Sequence, residues 1–258
     1  MVDPSAAIRP PSRLLLALEA RAGLEFVALL PALPLLARAP HGDGHPVLVL
    51  PGFLASDAST LPLRRFLRGR GYHVHGWKLG RNQGPQPEIV AGIGRRFLEL
   101  RQRYGRKLSL IGWSLGGIYA RELARHFPAD VRQVITLASP FRDVAASNVP
   151  REWRRGAGQH RFGSRDELRE RLGAPLPVPT TSIYSRSDGI VAWRSCLDDV
   201  GPLHENIAVR SSHIGMGHHP AVLLVIADRL AQAEDSWRPF APTVLQRWAF
   251  NWGWPLPA

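Results

Sequence analysis

Cysteine is nearly missing: Cys196 stands alone in 258 residues. That excludes a disulfide within the chain and is compatible with a reducing compartment. Lysine is scarce too. Lys78 and Lys107 are the only two, so the net charge of +12 is carried almost wholly by arginine. No run of five or six like charges marks a dedicated tail, and no Cys/His ligand pairs accompany the arginines. They read as scattered over solvated faces, and nucleic acid is not an expected partner. Also missing is an unbroken apolar run of roughly 20 residues, the length of a membrane span. The nearest approach, Leu14 to Leu36, is interrupted by Glu19, Arg21 and Glu25 and holds Pro31 and Pro34, which are expected to end regular helix. It lacks the basic start, continuous apolar run and small-residue cleavage site of a signal peptide. The expected location is therefore cytoplasmic, with peripheral membrane contact as an added expectation. No internal repeat or domain linker is present.

What remains is a chain of the right length for one large domain, with 45% hydrophobic residues to build its core. Residues 1–40 read as a loose arm followed by an amphipathic helix, with Ser12 as a cap. Packing of that helix on the domain is preferred to membrane contact. Residues 41–258 read as the main domain. There Val47 to Leu50 is a short apolar run between Pro46 and Pro51, as a buried parallel strand would be. Helices are expected over 61–70, 88–104, 116–127 and 221–233, and strands over 72–77, 108–112, 131–138, 181–185 and 207–210. This alternation predicts an α/β fold, a mostly parallel central sheet flanked by helices. The stretch 141–179 breaks the rhythm. It reads as a short lid or cap insertion with a helical patch at 165–172, lying over the carboxyl edge where such sheets bind ligands.

The sharpest motif is Gly112-Trp113-Ser114-Leu115-Gly116, a G-x-S-x-G pattern between an expected strand and an expected helix. A serine hydroxyl is a weak nucleophile and must be presented to a base without crowding. A sharp strand-to-helix turn does this, and the helix N-terminus favours a developing oxyanion. The acid and base should follow in the order Ser, Asp or Glu, His. Asp188 lies just past the 181–185 strand and is preferred to Asp198 and Asp199. His213 follows the last strand and is preferred to His218 and His219. The spacing of these histidines fits no helical metal motif, so neither metal nor cofactor is expected. Oxyanion donors are expected from Leu115, directly after the serine, and from Phe53 in the Pro51-Gly52-Phe53 loop. His73 and His75 share one strand face and read as structural or exposed.

With these pieces in place the sequence resembles bacterial α/β-hydrolases of the lipase/esterase type. The resemblance rests on Pro51-Gly52-Phe53, Gly80-Arg81-Asn82, the Gly112 to Gly116 elbow, Ser187 to Val191, and Ser212-His213 with Gly215 and Gly217. It covers Val47 to about Leu230 and departs from many lipases at Pro51, where they carry histidine. It implies an α/β-hydrolase fold, a Ser114–His213–Asp188 triad and no cofactor. The expected activity is carboxylic ester hydrolysis through an acyl-enzyme, on a small-molecule or lipid ester. Two alternatives are an acyltransferase using the same triad and a non-catalytic lipid-surface protein. The N-terminal stretch and Trp237, Trp248, Trp252 and Trp254 are the candidates for membrane contact, since tryptophan favours membrane–water interfaces.

Overall fold

The computed structural model describes residues 8–149 and 165–242. Trp248, Trp252, Trp254 and residues 150–164 of the expected insertion lie outside the described residues. Six strands form one sheet: β1 (Pro46–Leu50), β2 (His73–Gly76), β3 (Leu108–Trp113), β4 (Val131–Leu137), β5 (Thr180–Ser185) and β6 (His204–Val209). Their order is β2-β1-β3-β4-β5-β6, and every neighbouring pair is parallel. Parallel strands need crossover connections, and helices supply them on both faces. This explains why β1 reads as a continuous apolar run. Val47 and Val49 point into one core layer, while Leu48 and Leu50 point into the other.

On the first face lie α4 (Leu61–Gly69) and the C-terminal α8 (Pro220–Ala231), joined by the end of the N-terminal arm. On the second lie α5 (Pro87–Tyr104) and α6 (Leu115–His126). The chain runs from β1 out to β2, then crosses back over β1 to β3. The direction of winding therefore reverses between β1 and β3. Crevices at the carboxyl ends of strands flanking such a switch are where open α/β sheets bind ligands.

Three features depart from the sequence reading. The arm is not one helix. It is α1 (Arg13–Ala17), a 3₁₀ turn (Leu18–Arg21), α2 (Ala22–Val27) and α3 (Leu29–Leu36). Pro31 and Pro34 do not end it, since α3 runs to Leu36 with Pro34 inside. Pro31 falls in the first turn, where an amide has no intrahelical acceptor anyway. Pro34 forfeits one helical bond, and the packing of Leu29, Ala32, Leu35 and Leu36 on the core offsets it. Strand β6 begins at His204, ahead of the expected Ile207, because its polar first residues are satisfied sideways. His204 Nε2 meets the Leu176 carbonyl, Glu205 takes Arg229, and Asn206 bonds the backbone of Asp198. Of the insertion, the described part holds α7 (Arg165–Gly173).

That insertion is held to α6 by an arginine that is also half of a buried ion pair. Arg121 on α6 meets Asp198 at 2.6 Å, and both side chains are fully buried. The guanidinium also bonds the carbonyls of Leu172 and Ala174 and lies over the Phe141 ring. Removing one partner of such a pair strands the other charge, at a cost of about 3–5 kcal/mol. Arg121→Met should therefore lower unfolding stability by about that much in urea titrations. A loss below about 1 kcal/mol would mean that Asp198 finds compensation elsewhere.

Candidate active site

Ser114 sits on the turn between β3 and α6 with φ 54° and ψ −120°. A non-glycine residue at positive φ costs of order 1–3 kcal/mol, and it persists only where its surroundings over-determine it. Here they do. The Ser114 amide donates to the Leu137 carbonyl at 2.8 Å. Its own carbonyl accepts from Gly117 N–H at 3.0 Å and from the Ser139 hydroxyl at 2.7 Å. Side chains are excluded from the turn's flanks: a Cβ on Gly116 would lie 2.2 Å from the Leu50 carbonyl oxygen. The spacing of the G-x-S-x-G motif is thus a packing requirement of this elbow.

Asp188 and His213 come together from the ends of β5 and β6. Asp188 Oδ2 and His213 Nδ1 are 2.7 Å apart, with exposures of 2% and 6%, so their bond is shielded from water. The other carboxylate oxygen accepts the amides of Ile190 and Val191 at 2.8 and 2.7 Å, which fixes its direction. Burial disfavours the imidazolium of His213. The Asp188 charge and hydrogen bond, aided by the Glu19 charge, outweigh it and hold the His213 pKa above its ordinary 6.5. The direct side-chain bond in the predicted set is this pair. Ser114 is tied to the histidine loop through its neighbour, since the Trp113 indole N–H donates to the His213 carbonyl at 3.2 Å.

The other candidates are placed as follows. Leu115 opens α6, and the first amides of a helix lack intrahelical acceptors. Phe53 lies on the loop after β1, which abuts the serine: a Cβ on Gly52 would be 3.2 Å from Ser114 Cβ. The rivals are engaged elsewhere, Asp198 with Arg121 and Asp199 with Arg142. His218 Nε2 meets the Ala22 carbonyl, and His219 caps α8 by accepting the Ala221 amide. Among the described residues, no group of three or more His, Cys, Asp or Glu converges to hold a metal ion.

No protein-family model and no curated protein matches the chain. Solved structures do. Aspergillus fumigatus lipase B matches with a TM-score of 0.55 and 18% identity over 78% of this chain. The match spans only 56% of that lipase. A structure from work on the metagenome-derived lipolytic enzymes LipS and LipT gives 0.55 and 18%, covering 74% of this chain and 93% of its own. Mature Bacillus licheniformis lipase BlEst2 gives 0.56 and 15%, covering 76% and 95%. This is the α/β-hydrolase fold. At these identities the likeness is one of fold.

Within the α/β-hydrolase sheet, two supports of the site were not identified from sequence as such. Asn82, quoted only as part of a motif, is fully buried and braces the Phe53 loop. Its side-chain amide donates to the Pro51 carbonyl at 2.9 Å, and its backbone exchanges bonds with Leu54 and Ala55. Glu19 and Glu25, which looked like interruptions of an apolar stretch, bind the Asp188 and His213 loops. No local pattern could have shown what these glutamates hold, since the loops they bind lie 170 to 195 positions away.

Electrostatics around His213 give a test that needs no substrate. Asp188→Asn deletes the largest effect that favours the imidazolium and leaves burial opposing it, so the His213 pKa should fall below 6.5. Histidine NMR titration reads this directly, with Asp199→Asn expected to leave the midpoint unmoved. Equal responses from the two variants would contradict the assignment of Asp188 as the partner.

Proposed function

We propose that this chain is a serine hydrolase that cleaves carboxylic esters, with Ser114 as nucleophile, His213 as base and Asp188 as the orienting acid. The observation that carries this reading is the strained Ser114 elbow at the sheet's switch point, tied through Trp113 to a loop bearing the buried Asp188–His213 pair. Each element answers a chemical need. With Nδ1 held by Asp188, His213 Nε2 accepts the proton as Ser114 Oγ attacks the ester carbonyl. The carbonyl electron pair moves onto oxygen, and the amides of Leu115 and Phe53 together with the α6 N-terminus stabilise the oxyanion. Collapse expels the alkoxide, which takes the proton from His213. Water then attacks the acyl-serine with His213 again as base, releasing the acid and restoring Ser114.

Lipid esters are the favoured substrate class. Among the described residues, eight of the thirteen large exposed hydrophobics fall between Leu14 and Leu33. A ninth, Ile214, directly follows His213. An apolar face of that kind beside the site suits peripheral contact with a lipid surface. The charge of +12 adds attraction if the lipid is anionic. Aspergillus fumigatus lipase B and Bacillus licheniformis BlEst2, matched in fold, are lipases by name. No helix among the described residues is long and apolar enough to cross a membrane.

Hydrolysis of p-nitrophenyl esters of increasing chain length tests the chemistry. Ser114→Ala should remove all but the roughly 10³–10⁴-fold acceleration over water that binding and the oxyanion hole supply. Near wild-type turnover by the variant would defeat the reading. The pH dependence has a definite sign. His213 must be neutral to accept a proton and its pKa is raised, so kcat/KM should rise with pH and reach half-maximum above 6.5. For the lipid surface, co-sedimentation with anionic vesicles should fall several-fold when Leu24, Phe26 and Leu30 are all replaced by serine. Unchanged binding would remove the lipid face from the account.

A further inference from the structure

The inner face of the N-terminal arm carries three charged side chains, and each reaches a loop that holds a proposed catalytic group. Glu19 is 5% exposed and sits where those loops meet. Its Oε1 accepts the amide of Gly189, next to Asp188, at 2.8 Å and the amide of His213 itself at 2.9 Å. Its Oε2 accepts the amide of Ile214 at 3.0 Å. One carboxylate thereby bridges the acid loop to the base loop. Glu25 takes the next step along the same loop, accepting the Ser212 amide at 2.8 Å and the Ser212 hydroxyl at 2.6 Å. Arg21, paired with Glu25, donates to the Ser187 carbonyl at 2.7 Å.

The two loops are shaped to receive this arm. A Cβ on Gly189 would lie 2.2 Å from the Leu15 carbonyl oxygen, and one on Gly215 would lie 1.7 Å from Glu25 Oε2. Gly189 therefore allows a backbone approach that any other residue would block, and a side chain at Gly215 would push the Glu25 carboxylate from its place. Asn148 adds a clasp by donating to both the Pro11 and Gly189 carbonyls.

We propose that the arm is a working part of the active site and that Glu19 is a positioning residue, setting the Asp188 and His213 loops at the separation that catalysis needs. A buried carboxylate receiving three amide hydrogens is well satisfied, so it locks its partners strongly. It acts on the reaction through His213, whose own backbone it binds. This inference rests on the reading of Ser114, His213 and Asp188 as a triad. It goes beyond that reading by assigning part of the triad's geometry to a segment about 170 residues or more away in sequence. The charged groups around the His213 loop are Asp188 from the β5 end and Glu19, Arg21 and Glu25 from the arm, with His218 and His219 following on its own side.

The test uses the full chain with Glu19→Gln, and with exposed Ala20→Ser as a control beside it on the same arm. Glu19→Gln should lower kcat about 10- to 100-fold, as expected for misplaced catalytic groups, with KM held within about twofold. It should also move the His213 titration to lower pH, because one of the charges favouring the imidazolium is gone. Glu19→Asp should bring the titration midpoint back towards wild type while kcat stays low, since the shorter side chain cannot span both loops. Histidine NMR reads the titration without substrate, with the signal assigned by its loss in His213→Gln. A folded Glu19→Gln with wild-type kcat and midpoint overturns the proposal. If that variant does not fold, wild-type kcat in Glu19→Asp overturns it. Should the wild type itself lack Ser114-dependent activity, the hydrolase reading is what fails, a result distinct from a wild-type kcat in Glu19→Gln.

Discussion

The structure hangs on the backbone of Ser114. Its positive φ turns the chain directly from β3 into α6 and lifts the hydroxyl clear of both elements. That conformation is unfavourable by itself, so the neighbourhood is built to enforce it. Leu137 on β4 takes the Ser114 amide, Ser139 and Gly117 hold its carbonyl, and Gly116 lets the turn press against the end of β1. Because β1 and β3 are neighbours, the loop after β1 lands beside the serine. Because β5 and β6 end on the same edge of the sheet, their loops carry Asp188 and His213 to meet each other. Parallel winding supplies this convergence, and the strained turn gives it a chemical centre.

A second constraint is electrostatic. A sheet buried on both faces has little room for charge, yet the interior holds the Arg121–Asp198 pair, the Asp188–His213 pair and Glu19. Each is satisfied by several hydrogen bonds, as burial demands. Arg121 closes the gap between α6 and the segment around Leu172 and Ala174. Glu19 closes the gap between the arm and the loops that bear Asp188 and His213. The first part of the arm has thereby two faces of opposite character: Glu19, Arg21 and Glu25 turned inward onto the site, and Leu14, Leu16, Leu18, Leu24 and Phe26 turned outward. That division explains why its apolar residues do not form one uninterrupted run.

How much of this was legible in the sequence follows from how local each cause is. The strands with apolar residues on both faces announce themselves, and the elbow does too because its glycines must sit at fixed offsets from the serine. The order of acid and base along the chain narrowed the choice to a few residues. What separates Asp188 from Asp198 and Asp199 is different in kind. The latter are claimed by Arg121 and Arg142, which lie 77 and 57 positions away. Glu19 and Glu25 were read as breaks in an apolar stretch for the same reason, their partners being far off in the chain. Pro34 inside α3 and the polar start of β6 are cases where tertiary packing and side-chain bonds override local preference.

The central claim is that Ser114 is an activated nucleophile, and an active-site label measures that activation most directly. A fluorophosphonate probe reacts with a serine whose proton is withdrawn by a neighbouring base. Incubating the full chain with it and mapping the adduct by mass spectrometry should place one modification on Ser114. The adduct should be strongly reduced in His213→Gln. An unlabelled Ser114, or labelling that is indifferent to His213, would contradict the account.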